Sequence, residues 1–489
     1  MSRRRIRLTD VSLTDGQGAV WAGAMTTPMV GAVVQQLAAA QPDAIEVCSP
    51  DMLRQCVLRG EDPWQRIDVI RQRCPGMALR AVVSPLNEHG VRGADMISRD
   101  VAVQWLRELA RRGVREVLLI DPLLDMRRLG PLLKQAAAIG ITPIAALPLD
   151  EDSILGDATL CGQAAALAAA GAARVQLRDA AGLMTPGRLA TLLPALRQVL
   201  AATPLDFHLG CQTALAPLVA LEAVQMGIDG LDTALAPLAN GASVVSFGTL
   251  VKSLRLLGFG EAVDGIHLPA IDAASDFLVA MAERHDFPAA RPWAFSLAPY
   301  IHRLPGEVAA LFMARLDALD RWNDLITFAE ECARIRGELG RPPMLAPFAR
   351  AIADQAWRHL QGGPRYVELI PGVRRIIQQC WGPTSGRVDA GLARRVGGLP
   401  ASRPASLQDL RARFPGTRDA ALVLAQVCGV PPRSLPGPAS GEALVYAAQT
   451  PADALISGLA RRAASFAQLN VSAPGFVAQL CGGQDSRHV

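Results

Sequence analysis

The sequence predicts an α/β protein: a (β/α)8 TIM barrel followed by a mostly helical C-terminal domain. Three observations predict it. Eight short apolar or β-branched runs recur between residues 5 and 250. Ala/Leu/Arg-rich segments with helical spacing lie between them. After about residue 255 the strand signals stop and helical patterns take over.

The runs are Ile6–Leu13, Ala44–Cys48, Leu79–Ser84, Val114–Ile120, Ile141–Leu147, Ala173–Leu177, Leu205–Leu209 and Ile228–Leu235. Val101–Gly113 and Pro186–Ala202 are two of the intervening helical segments. Gly113, Gly140, Gly171 and Gly227 stand just before strands, at the place where helices end on a left-handed residue. An open doubly wound sheet is the alternative, but no Gly-x-Gly-x-x-Gly fingerprint supports it. Farther on, Asp272–Arg284, Glu307–Ala318, Trp322–Glu338 and Pro347–Leu360 read as helices. Gly382–Pro438 is rich in Pro, Gly and Arg, with helices expected near Asp389–Arg395 and Arg418–Val427. Two more helical segments are expected within Gly437–Val489. The expected domains are therefore a barrel over 1–255, a helical domain over 256–400 and a helical extension over 401–489.

Composition narrows the function. Half of the 489 residues are hydrophobic and 19% are charged, which excludes general disorder. The net charge of +4 and the three tyrosines argue against nucleic acid. Only Lys134 and Lys252 are lysines among 49 basic residues, so any lysine chemistry has two candidates. The nine cysteines form no CxxC pair, against a disulfide framework or a Cys-only zinc site. No apolar run follows the basic start and none is long enough to cross a bilayer, so no signal peptide and no transmembrane segment is expected, and the location is read as cytoplasmic.

A barrel carries its site at the C-terminal ends of its strands. There the sequence places Asp10 and Asp15, Glu46 and Cys48, Ser84, Asp121, Leu149–Asp150, Arg178–Asp179, His208 and Cys211, and Asp232–Thr233. Asp15, Arg178 and His208 stand on neighbouring strands of a closed barrel and are expected to converge.

Six segments carry a family resemblance: Thr9-Asp10-Val11-Ser12-Leu13-Thr14-Asp15, Gly60-Glu61-Asp62-Pro63-Trp64, Arg178-Asp179-Ala180-Ala181-Gly182-Leu183-Met184-Thr185-Pro186, Gly230-Leu231-Asp232-Thr233-Ala234, Leu304-Pro305-Gly306-Glu307 and Gly340-Arg341-Pro342-Pro343. Over roughly residues 5–400 the chain resembles the carboxyltransferase domain of the oxaloacetate decarboxylase α-subunit and of pyruvate carboxylase, within the group that includes hydroxymethylglutaryl-CoA lyase. The resemblance makes the helical domain a funnel-like one. It implies a homodimer through the barrel and a biotin-carrier or carboxylase subunit on a separate polypeptide.

The active site departs from that family. The resemblance implies a divalent metal held by an Asp, a carbamylated Lys and a His-x-His pair. Asp15 and His208 match, but the lysine position is Arg178 and the second histidine position is Gly210. Arginine stays protonated and forms no carbamate, and two ligands fall short of a catalytic zinc site. The family's arginine before the metal Asp is Thr14, and the His-Gln after it is Gln17-Gly18. Its keto-acid-gripping arginine is Ser84, its tyrosine is Val91, and its proton-shuttling hydroxyl residue is Gln212. With no lysine beyond Lys252, no biotinyl attachment and no biotinyl domain are expected, and no cofactor or metal is expected in this chain.

These observations predict a diverged carboxyltransferase-like protein acting on a small 2-oxo acid or related carboxylate by decarboxylation, carbon–carbon cleavage or enolisation. Asp15, Arg178, His208 and Cys211 are the expected catalytic residues. Arg178, Gln17, Ser84 and Gln212 are expected to bind substrate. Arg178 is expected to replace the metal's charge by pairing with Asp15 and Asp179, and His208 to act as general acid–base or as base for a Cys211 nucleophile. One alternative is an inactive scaffold or regulatory subunit. Another slides His208 onto the second family histidine and makes Asp206 a ligand.

Overall fold

A computed structural model describes residues 5–87, 95–149, 156–397 and 404–446, together with the strand residues 468–473 and 476–481. Eight parallel strands close into a barrel in sequence order: β1 (Arg7–Asp10), β2 (Ala44–Cys48), β3 (Leu79–Val83), β4 (Glu116–Leu119), β5 (Thr142–Pro148), β6 (Arg174–Asp179), β7 (Leu205–Leu209) and β8 (Gly230–Thr233). All eight predicted runs are strands, with two informative differences in length. The first run stops at Asp10, because the chain turns at Val11 into a single π-helical turn, Ser12–Gly16, that carries Asp15. The sixth extends past Leu177 to Asp179, so Arg178 is a strand residue paired in register with His208.

Period-2 alternation sorts the strand side chains. Leu79, Ala81 and Val83 of β3, and Val117 and Leu119 of β4, face outward into the core shared with the helices. Val82, Leu118, Ile144 and Ala146 form a separate apolar cluster inside the barrel on the β3–β5 side. The rest of the interior is polar, with buried Glu46, Arg80, Gln176, His208 and Asp232. Where the interior is tightest, glycine is needed: a Cβ on Gly230 would lie 2.4 Å from the Asp206 carboxylate.

The helices follow local chemistry. The helix Met126–Ile139 is capped by Asp125, which accepts from the Arg127 N–H, and ends on Gly140 at φ +84°, the left-handed residue its sequence position predicts. Lys134 lies on this helix and Lys252 on Phe247–Leu256, where it pairs with Asp272 at 2.8 Å. Both lysines are exposed, away from the barrel interior.

The helix Leu268–His285 packs into the barrel core through Ile271, Ala274 and Leu278. A second core begins at Leu304 and runs through Phe312, Phe328, Phe348 and Trp381 to Leu392. The expected boundary at 255 therefore falls too early by this measure. Residues 407–428 then return to the barrel core, through Leu410, Leu422 and Val427. The helix Asp419–Cys428 is tied there by Asn87 donating to the Gln426 carbonyl at 2.6 Å and Arg54 to the Cys428 carbonyl at 2.7 Å. Two helices are expected beyond Gly437, and most of that stretch, 447–467 and 482–489, lies outside the described residues. The described residues hold a short 3-10 turn, Glu442–Leu444, and two antiparallel strands, Gln468–Ala473 and Phe476–Cys481. Alternation in Leu469-Asn470-Val471-Ser472 is a strand period, which the helix propensity of its neighbours masks. No helix among the described residues is long and apolar enough to cross a membrane.

Candidate functional site

The barrel interior ends at its C-terminal mouth in a chain of charges. Arg80 is 1% exposed and lies 2.8 Å from Glu46 and 2.9 Å from Asp232. Thr14 donates to Glu46 at 2.6 Å and Gln176 donates to Asp232 at 3.0 Å. His208 Nδ1 sits 3.0 Å from Asp232, and its Nε2 sits 3.5 Å from Asp15. Asp15 in turn faces Arg178 Nη2 at 3.7 Å and accepts from Ser243 at 3.1 Å. The predicted convergence of Asp15, Arg178 and His208 is therefore present, with Asp15 at its centre.

Burial works to raise the Asp232 carboxyl, but Arg80 and the His208 hydrogen bond outweigh it and hold it well below the usual carboxylate range. Asp10 shows the opposite balance. Its burial, with Asp232 and Glu46 adding, pushes it up to about 7 despite two hydrogen bonds from Ser12. A raised folded value gives stability that is complete below the unfolded value and lost as pH rises through about 7. Asp10→Asn is thus expected to be near neutral at pH 4 and to stabilise at pH 9, by about 1–3 kcal/mol once a lost Ser12 contact is allowed for. Urea unfolding at the two pH values checks this; equal effects at both would refute it.

Several sequence-predicted site residues are placed elsewhere. Cys211 is 2% exposed, and burial, followed by the charges of Asp15 and Asp179, pushes its thiol well above the ordinary range. Both His208 nitrogens already face carboxylates, so the expected His208–Cys211 nucleophile pair is corrected. His208 itself is 2% exposed beneath Asp15, which removes it as a direct general acid–base. The Asp179 carboxylate, expected to pair with Arg178, accepts from the Leu183 and Met184 N–H groups at 2.9 and 2.7 Å and so fixes the loop after β6. Gln17 is fully buried, bonded to the Leu13 carbonyl and the Met25 N–H, so its amide holds a turn. Gln212 bridges the Ala180 and Leu304 carbonyls at 3.1 and 3.0 Å, joining the barrel to the helical domain. Asp206 is held by Arg174 at 2.7 Å, one strand step below His208, which removes the slipped alignment. Val91 and Asp150 lie outside the described residues.

Ser84 and Arg178 do reach a common space. They line a cavity of about 190 Å³ between the barrel mouth, the helical domain and the helix Asp419–Cys428. Its other polar groups are Ser49, Asp51, Asn87 and Glu307. Two of these are acids that the sequence does not mark as site residues. Glu307 stands in the first turn of the helix Gly306–Ala318, an exposed residue that lines the cavity. Desolvation, with the charge of Asp15 adding and Arg178 opposing, pushes it up to about 7. Asp51 opens the helix Pro50–Leu58 after β2, and burial raises it too, against Gln55 and Arg54. Glu307 closes the Leu-Pro-Gly-Glu landmark, a sequence signal that reads as structural until the helix is docked on the barrel.

The donors present do not fit a four-ligand metal centre. Asp15 and His208 are the two matching ligands, and Arg178 projects at the third position. The fourth cannot be supplied at 210: a Cβ there would lie 2.9 Å from the Ala180 carbonyl oxygen, against backbone. Among the described residues no three of His, Cys, Asp and Glu gather to hold a metal ion.

The fold and site together define a (β/α)8 barrel whose mouth gathers acids and arginines beneath a helical domain. The HMGL-like family model matches residues 5–277, and the chain belongs to that family. It is 23% identical over 399 residues to a pyruvate carboxylase subunit of Methanocaldococcus jannaschii, covering 80% of this chain and 68% of that one. It is 23% identical over 407 residues to the 2-oxoglutarate carboxylase large subunit of Hydrogenobacter thermophilus, covering 82% of this chain and 61% of that one. The chain thus spans roughly two thirds of the length of these relatives. The carboxyl transferase domain of Rhizobium etli pyruvate carboxylase with pyruvate superposes with a TM-score of 0.77 at 19% identity, over 87% of this chain and 75% of that one. The fold is shared while about four residues in five differ.

Proposed function

We propose that the protein is a metal-independent member of this family that binds a small 2-oxo acid or related carboxylate and moves a proton at the carbon beside its carbonyl. The cavity carries this reading: Arg178 enters it at the end of β6 and Glu307 faces it from the helix above. Arg178 has loose partners in Asp15 at 3.7 Å and Gln176 at 3.3 Å, so its guanidinium can turn a fork toward a carboxylate. Glu307, held near neutrality, is suited to accept a proton and return it. Enolisation is the step shared by decarboxylation, carboxyl transfer and aldol-type cleavage, so it is the reaction to look for first. Asp232, His208 and Asp15 form the support that holds the Arg178 side of the site.

The test is hydrogen–deuterium exchange at the carbon beside the carbonyl of 2-oxo acids, followed by NMR in heavy water. Catalysed exchange is expected, slowed ~10²–10⁴-fold by Glu307→Gln. Arg178→Gln is expected chiefly to raise the half-saturating acid concentration. Exchange undiminished in Glu307→Gln would remove Glu307 as the base. The enclosure of His208 and the pairing of Asp15 favour a second reading, a non-catalytic scaffold with its metal position filled. Absence of both binding and exchange in the wild type would select it.

A further inference from the structure

We infer that the site selects a monocarboxylate bearing a short aliphatic tail, over both pyruvate-sized acids and dicarboxylates. The inference rests on Arg178 as the carboxylate anchor and adds what lies beyond it.

The cavity walls away from Arg178 are apolar and come from three parts of the chain. Val82 and Ile120 come from the apolar side of the barrel, Leu345 and Pro347 from the helical domain, and Val427 from the helix Asp419–Cys428. Leu86 completes them from the loop after β3. Arg178 comes from the polar side, so the cavity straddles the division of the barrel interior. A bound acid has its charged end on one side and apolar surface on the other. The cavity, about 190 Å³, has the volume of about six waters of the bulk liquid and falls below the ~300–1,000 Å³ of sites for drug-sized ligands. That space suits a carboxylate with a branched tail of a few carbons and leaves pyruvate loosely held.

A second carboxylate is disfavoured by the charges. Arg178 is the one cation among the described residues that line the cavity, while Asp51 and Glu307 are acids. A dicarboxylate anchored on Arg178 would set its other end against apolar wall or like charge, with no cation to offset its dehydration. The C-terminal helix takes part directly, since Val427 is one of the walls.

Calorimetric titration of the full chain at pH 8 with pyruvate, 4-methyl-2-oxopentanoate and 2-oxoglutarate tests this. Each buried methylene is worth about fourfold in affinity, so 4-methyl-2-oxopentanoate is expected to bind at least roughly tenfold tighter than pyruvate. It is also expected to bind at least roughly tenfold tighter than 2-oxoglutarate, a gap that Glu307→Gln should narrow. The near-isosteric Val427→Thr should weaken the branched acid several-fold more than it weakens pyruvate. If all three acids bind and Arg178→Gln abolishes binding, but 2-oxoglutarate or pyruvate matches the branched acid, the selectivity inference falls and the anchor stands. If binding survives in Arg178→Gln, or no acid binds the wild type, the underlying reading falls as well.

Discussion

Arg80→Met is expected to destabilise the protein by about 3–5 kcal/mol at pH 8, the range for removing one partner of a buried ion pair. Arg80 is 1% exposed and compensates two carboxylates, Glu46 and Asp232, that are 4% and 2% exposed. Methionine keeps most of the volume and the unbranched shape, so packing changes little and charge dominates. The mutant leaves Glu46 and Asp232 without their common cation, close to Asp10. The pH dependence has a definite sign. The Asp232 carboxyl is depressed in the folded protein, so its contribution is present above the unfolded value and lost as pH falls through the folded one. In the mutant both acids can relieve their burial by taking up protons, so the deficit should shrink toward pH 4. Urea unfolding of both proteins across this range measures it. A deficit below about 1 kcal/mol at pH 8, or one that grows on acidification, would show that Arg80 does not hold the interior as argued.

Gly306→Ala is expected to have the larger effect on activity. The Gly306 N–H donates to the Ala180 carbonyl at 3.2 Å, and a Cβ at 306 would lie 1.7 Å from the Ala242 carbonyl oxygen. Both contacts are barrel backbone, which cannot move aside as a flexible side chain would. The helix Gly306–Ala318 must instead lift from the mouth, and it takes Glu307 with it. Overpacking of this kind costs about 1–3 kcal/mol. A displacement of about 1 Å at a reacting group can cost ~10²-fold in rate, and that loss is expected in the exchange reaction. Gly337→Ala is the control. Gly337 lies inside the helix Leu325–Glu338 with nothing within 4 Å of an added Cβ, so it is expected to be neutral or stabilising by roughly a few tenths of a kcal/mol. Equal exchange rates in the two variants would separate Glu307 from the helix docking.

Much of the site is legible residue by residue, and the places where that reading fails have physical causes. Asp15, Arg178 and His208 read as convergent because strand ends in a closed barrel face one mouth, and they do converge. Gln17 and Gln212 read as ligand-binding because they follow strand ends, yet each uses its amide on backbone groups of turns that would otherwise be unpaired. Cys211 follows His208 closely in sequence, but the chain bends at Gly210, pressed against Ala180, and seats the thiol in the core. Glu307 closes a Leu-Pro-Gly-Glu landmark that reads as structural, and Asp51 reads as an ordinary helix-start acid just past Cys48, so neither is marked as facing a cavity until the elements dock.

The sequence alone determined the barrel. Strand periodicity, turn glycines and helix caps are local, and eight such units have one way to close. It also determined the donor set, since an arginine at 178 and a glycine at 210 state their chemistry without a structure. Only the tertiary structure decided which groups share a space. The cavity takes walls from residues 49–51, the end of β3 and the loop after it, Ile120, Arg178, Glu307, the 345–347 segment and Val427, brought together by docking of the helical domain and the C-terminal helix on the mouth. Desolvation and the charges of Asp15 and Arg178 set Glu307 near neutrality across those interfaces, while inside the barrel Arg80 and His208 depress Asp232. Such effects depend on three-dimensional distance and dielectric, and neither is written in the spacing of residues along a chain.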